Sequence, residues 1–192
     1  MSEIKIINSA DIDTSNAIIY FGWTETDIKN YKINHQTIFV GFAEDTLLEV
    51  TTADMQVYYA VFRSGESQKN QRQCLLVDNT HNVLVNANGI IYRFDSIQRK
   101  CLDTDCYNDI EINSTYFATD ISPELSLMTV IDNEGVAVIN WSGVLWKKDF
   151  DYANADYLNV TAITQKNISI TYEPPGEEIQ YIKLDTYTGA LL

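Results

Sequence analysis

The stretch Ser126-Leu-Met-Thr-Val-Ile-Asp132, Asn133-Glu134-Gly135, Val136-Ala-Val-Ile-Asn-Trp141, Ser142-Gly143, Val144-Leu-Trp146 decides how the chain is read. Short runs of β-branched, aliphatic and aromatic residues stop at Asn, Asp or Gly. That is the pattern of strands joined by tight turns, not the 3.6-residue period of a helix. The same order recurs on either side. Cys74-Leu-Leu-Val-Asp78 passes through Asn79–His81 to Val83-Leu-Val85, then Asn88-Gly89 and Ile90-Ile-Tyr-Arg-Phe94. Asn167-Ile-Ser-Ile-Thr-Tyr-Glu173 passes through Pro174-Pro175-Gly176 to Ile179–Asp185, then Thr188-Gly189 and Ala190-Leu-Leu192. Each unit reads strand, turn, strand, Gly-containing turn, strand. The glycines supply the positive φ that two-residue hairpin turns require.

Outward from these units, further strands are expected at Ala17–Trp23, Thr37–Phe42, Leu47–Thr51, Gln56–Phe62, Ile110–Ile112, Thr115–Thr119 and Leu158–Ile163. The fold class is therefore all-β, with residues 1–192 read as one domain and three-strand units repeated loosely over 70–192. The repeat and its Asp185-x-x-Thr188-Gly189-x-Leu191 ending resemble β-propeller blades of the quinoprotein or WD type, without a Trp-Asp dipeptide or a Gly-His opening. The resemblance implies a small or incomplete β-propeller-like antiparallel meander and no particular activity. At about 45 residues per blade the chain supplies roughly four. A twisted β-sandwich or barrel is the alternative.

Composition narrows the function classes. Of 192 residues, 45% are hydrophobic and 21% charged, with 12 Tyr, 7 Phe and 3 Trp, so the chain can build a core without staples. The formal net charge is −14. Such a chain repels phosphate backbones and anionic headgroups, which argues against nucleic-acid and membrane partners. The start, Met1-Ser2-Glu3-Ile4-Lys5-Ile6, lacks an export signal, and the expected location is cytoplasmic. Cys74, Cys101 and Cys106 match no zinc spacing and read as reduced, partly buried thiols.

Catalytic patterns are missing. Gly-x-Ser-x-Gly, His-Glu-x-x-His, Walker-A and Gly-x-Gly-x-x-Gly do not occur. The two histidines, His35 and His81, sit at a strand mouth and in a turn. Asp103-Thr-Asp105-Cys-Tyr107-Asn108-Asp109-Ile-Glu111 is rich in carboxylates but lacks the sixth-position Gly of a calcium loop. No catalytic residue, metal or cofactor is assigned, and the protein is read as a non-enzyme.

Charge distribution carries more information. Residues 1–60 are net −6, residues 61–100 net +3 and residues 101–192 net −11. Two acidic connections between the repeats contain tyrosines: Asp103, Asp105, Tyr107, Asp109 and Glu111 in one, Asp149, Asp151, Tyr152, Asp156 and Tyr157 in the other. Tyrosine beside carboxylates suits a surface for a basic protein, because the ring buries area at small entropy cost and the charges steer association. Connections between repeats are expected to gather at one end of the array. The profile of a small, acidic, motif-free chain is similar to that of bacterial immunity proteins. That similarity implies binding and blocking of a basic toxin domain. The alternatives are a propeller-like interaction or scaffold module, and a carbohydrate-binding or carboxylate-based hydrolytic domain using Trp23, Trp141 or Trp146.

Overall fold

The computed structural model of the chain describes residues 3–7, 12–13, 15–25, 45–65, 72–77, 81–110, 118–132, 135–150, 158–174 and 177–192. These residues form an all-β structure of four sheets that follow one another along the chain. The first contains β1 (Glu3–Ile7), β2 (Ala17–Phe21), β3 (Thr46–Thr51) and β4 (Val57–Phe62) in the order β1-β3-β4-β2, with β2 running parallel to β4. The second is the meander β5 (Arg72–Leu76), β6 (Asn82–Ala87), β7 (Ile90–Asp95) and β8 (Lys100–Leu102). The third is the meander β9 (Ala118–Ser122), β10 (Leu127–Ile131), β11 (Gly135–Asn140) and β12 (Gly143–Asp149). The fourth holds β13 (Leu158–Ile163), β14 (Asn167–Tyr172) and β15 (Gln180–Asp185), and Leu191 bridges back to Leu184. Every sheet keeps two edges, so none closes into a barrel.

The local chemistry explains the hairpins. Asn88 (φ 48°) and Gly89 (φ 101°) both occupy the positive-φ region between β6 and β7, and the Gly89 N–H donates to Asn86 Oδ1 at 2.9 Å. A second turn recurs after the third strand of three sheets. Asp95 Oδ1 accepts from the N–H groups of Ile97 and Gln98 at 3.0 and 2.7 Å. Asn140 Oδ1 accepts from Ser142 and Gly143 at 2.8 and 3.2 Å, and Asp185 Oδ1 from Tyr187 and Thr188 at 3.0 and 2.9 Å. One short polar side chain thus fixes each turn by capping two backbone donors.

Period-two alternation then decides how the sheets stack. On β6, Val83, Val85 and Ala87 face the first sheet, where they bury against Leu48, Val50, Tyr58, Ala60 and Phe62. Leu84 faces the other way, into a core with Leu75, Met128, Val130 and Ile139 of the second and third sheets. Leu127, Ile131, Val136, Val138 and Trp146 of the third sheet pack in turn on Leu158, Ile168, Ile170 and Leu184 of the fourth. The second and third sheets therefore bury both faces. Full burial of one such aliphatic side chain contributes about 1.5–3 kcal/mol. The first strands of successive sheets are neighbours: β1 lies by β5, β5 by β9, and β9 by β13.

The strands of the structure extend beyond the runs read as repeated units in the sequence. The second and third sheets are four-stranded. β1 and β8 carry too little apolar alternation to stand out, since β8 is three residues and β1 is interrupted by Lys5, whose ammonium pairs with Glu49 at 2.7 Å; β9 shares 118–119 with the strand expected at Thr115–Thr119 and runs on to Ser122. The repeat read over Cys74–Phe94 covers strands one to three of its sheet, whereas that over Ser126–Trp146 covers strands two to four. Of the strand expected at 110–112 only Ile110 is described; it follows a 3-10 turn with its side chain buried in the core, and 111–112 lie outside the described residues. The strand expected at 37–42, and His35, lie outside the described residues.

Candidate functional site

The acidic connection after β8 is built from the strand outward. Arg93 of β7 holds it: Nη1 donates to the Asp103 carbonyl at 3.1 Å and to Cys106 Sγ at 3.3 Å, while the guanidinium lies 4.9 Å from the centre of the Trp141 ring. Asp103 Oδ1 accepts from the Asp105 N–H at 3.0 Å, and a 3-10 turn follows over Asp105–Tyr107. Tyr107 is the anchor. Its ring is fully buried between the second and third sheets, and its hydroxyl donates to the Asn140 carbonyl at 2.7 Å.

This overturns the reading of Tyr107 as an exposed binding ring. The apolar ring is worth more inside the core, where a buried hydroxyl still finds an acceptor. Burial pushes its phenol up, as does the neighbouring Cys106. Around this anchor Asp103, Asp105 and Asp109 are exposed. Asp103 lies close enough to push the Asp105 carboxyl up by like-charge repulsion and a side-chain hydrogen bond.

The second acidic segment begins elsewhere. Cys106 abuts Gly143 at the start of β12, whereas Asp149 ends that strand. Six residue steps of extended chain separate the two by about 20 Å. The described residues of the two segments therefore flank opposite ends of one strand and do not form a common patch. Asp149 is also partly neutralised, because Lys147 Nζ lies 3.7 Å from it and 3.3 Å from Asp132. Asp132 is 2% exposed and closes the β10–β11 turn by accepting the Gly135 N–H at 2.9 Å. Glu111, Asp151, Tyr152, Asp156 and Tyr157 lie outside the described residues.

Sequence reading missed two sites of interest. Asp45, before β3, is 6% exposed. Its Oδ1 accepts the Ser64 N–H at 3.0 Å, and the Trp23 side chain also hydrogen-bonds to the carboxyl. Burial pushes its carboxyl up to about 6 against the opposing pull of the Ser64 bond, Trp23, Arg72 and Arg63. The second is a groove of about 510 Å³ between β9 and β13, with Asp120 and Glu124 on its wall. The signal for Asp120 lay in the alternation Thr119-Asp120-Ile121-Ser122, where one carboxylate interrupts a strand.

Of the tryptophans weighed for sugar stacking, Trp146 is core and Trp141 packs on the core under Arg93. Trp23 carries the Arg63 guanidinium at 5.2 Å. Cys74, Cys101 and Cys106 are not bonded to one another, and burial raises the Cys101 thiol to about 12. Among the described residues no group of three or more His, Cys, Asp or Glu is placed to hold a metal ion, and no helix is long and apolar enough to cross a membrane. No family model matches the chain, and no curated protein sequence matches it.

Proposed function

We propose that this chain is a non-enzymatic, cytoplasmic binding protein that engages a basic protein partner, and that the partner is a toxin domain which it blocks, as an immunity protein does. The observation that supports this most directly is the Tyr107-anchored turn. A buried ring and an Arg93 clamp hold Asp103, Asp105 and Asp109 outward on fixed backbone. Charges presented on a pre-ordered turn avoid the entropy cost of ordering a loop on binding and accelerate encounter with a cationic surface. The net charge of −14 acts in the same direction and against nucleic acid or anionic membrane.

The test is affinity capture from the native host followed by association kinetics at several salt concentrations. The proposal expects a basic partner whose association rate falls steeply with salt, and whose affinity drops when Asp103, Asp105 and Asp109 are all changed to Lys. An acidic partner, or a basic one bound equally well by that triple variant, would sink it.

A second reading, a propeller-like interaction module, draws support from the ordered succession of stacked sheets and from their first strands lying side by side. It predicts a partner seated along those first strands rather than on the Asp103–Asp109 turn.

A further inference from the structure

We propose that the pocket beside Trp141, between the second and third sheets, binds a neutral monosaccharide, a single hexose ring. The site is separate from the acidic turn and does not depend on the basic-partner reading.

A pocket of about 220 Å³ lies where the end of β5 and the start of β6 meet the β9–β10 and β11–β12 connections. Val77 and Asn82 come from the second sheet, Leu125 and Ser126 precede β10, and Asn140, Trp141 and Ser142 make the turn into β12. The volume is below the about 300–1,000 Å³ of pockets that hold drug-sized ligands, so it suits one ring rather than a chain of them. The wall is fixed without a ligand. Asn140 Oδ1 accepts from the Ser142 and Gly143 N–H groups, and the Asn140 carbonyl accepts from the Tyr107 hydroxyl at 2.7 Å. The Trp141 ring packs on the core shared by the two sheets, with the Arg93 guanidinium 4.9 Å from its centre. A wall already in place spares a small ligand the cost of ordering it.

The chemistry of the wall selects the ligand. Among the described residues lining it none is charged, so an ion would give up hydration there without gaining a counter-charge. The polar groups are amides, hydroxyls and an indole N–H, an inventory that matches the hydroxyls of a sugar. With Oδ1 committed to the turn, Asn140 has Nδ2 left to donate. Among the described residues none accepts from it or from the Trp141 Nε1–H. Sugar oxygens supply those acceptors. Ser142 is exposed, and its hydroxyl both donates and accepts, as a sugar hydroxyl does. Val77, Leu125 and Trp141 give the C–H face of the ring an apolar surface.

The test is a titration of the isotope-labelled full chain with D-glucose, D-galactose and D-mannose in turn, through the millimolar range, followed by amide and indole NMR. At least one of the three should give saturable shifts at residues 82, 125–126 and 140–143, together with the Trp141 indole N–H. Trp141→Phe keeps a ring on the core and removes the donor, so its affinity for that sugar should fall about three- to tenfold. Two further arms use the unaltered protein and do not depend on a variant folding. The uronate of the same sugar should bind about threefold or more weakly, because its carboxylate meets no counter-charge. Glycerol, which has hydroxyls but no ring, should give no saturable shift at these residues.

No saturable shift with any of the three sugars, or shifts confined to other parts of the chain, would overturn the proposal. Equal affinity in Trp141→Phe would do so too, as would a uronate or glycerol that binds as well as the sugar.

Discussion

The Trp146 indole N–H donates to the Thr186 carbonyl at 2.9 Å across the junction between the third and fourth sheets. Among the described residues it is one of three such links. Tyr58 of the first sheet donates to the Ser96 carbonyl in the second, and Tyr107 donates to the Asn140 carbonyl in the third. In each case an aromatic from one unit caps the turn after the third strand of the next. The turns that the Asp and Asn side chains build locally are therefore tied into the stack by rings from the preceding sheet, coupling hairpin geometry to sheet packing.

Trp146→Phe should lower stability by about 1–3 kcal/mol, because it leaves the Thr186 carbonyl unsatisfied while keeping most of the apolar volume. Gly189→Ala should destabilise at the same junction. Gly189 has φ +68°, and an added Cβ would lie 2.7 Å from the Trp146 ring. Urea unfolding of the two variants measures both effects. A loss in Trp146→Phe below a few tenths of a kcal/mol would show that the hydrogen bond does not couple the sheets.

Tyr107→Phe removes the hydroxyl that reaches Asn140 and should cost about 1–3 kcal/mol. Because the same ring positions Asp103, Asp105 and Asp109, hydrogen exchange at residues 105–110 should accelerate. Partner affinity should fall without any change in charge. Unchanged exchange over those residues would separate the anchor from the acidic turn.

Asp45 predicts a pH dependence with a defined sign. Its folded pKa is raised to about 6, above the unfolded value of about 3.9. The penalty of burying the charged form is absent below about pH 4, grows between about pH 4 and 6, and is complete above. Asp45→Asn should therefore gain on the unmodified protein as pH rises from about 4 to 7, by on the order of 3 kcal/mol. Urea unfolding of both proteins across that window reads the difference. A flat difference would mean that Asp45 is solvated in the folded state.

Lys147→Met should destabilise by about 3 kcal/mol, the lower end of the cost of breaking a buried ion pair, because Asp132 keeps its charge in a nearly closed site. The double variant Lys147→Met with Asp132→Asn should recover part of that loss. Thermal unfolding of the single and double variants forms the cycle, and additive losses would remove Lys147 as the counter-ion of Asp132.

Much of this architecture was legible from residues alone. The runs at Leu158–Ile163 and Ile90–Phe94 fall within a residue of β13 and β7, because alternation and turn chemistry are local. The candidate site was less legible. Tyr107 and Asp109 are two residues apart in one acidic connection, yet one is core and the other exposed. Asp103 and Asp149 read as parallel features of two loops, yet they flank opposite ends of β12. Asp45 looked like any acid before a strand.

The sequence by itself determined the all-β class, the chemistry of the turns at Asn88-Gly89 and Asp185–Gly189, and the excess of negative charge over residues 101–192. Each depends on backbone preference or composition within a few residues. Only the tertiary structure decided which carboxylates meet solvent, which ring is an anchor, and which strands line a groove. Those outcomes are set by how whole sheets stack, and a side chain's burial is fixed by neighbours tens of residues away.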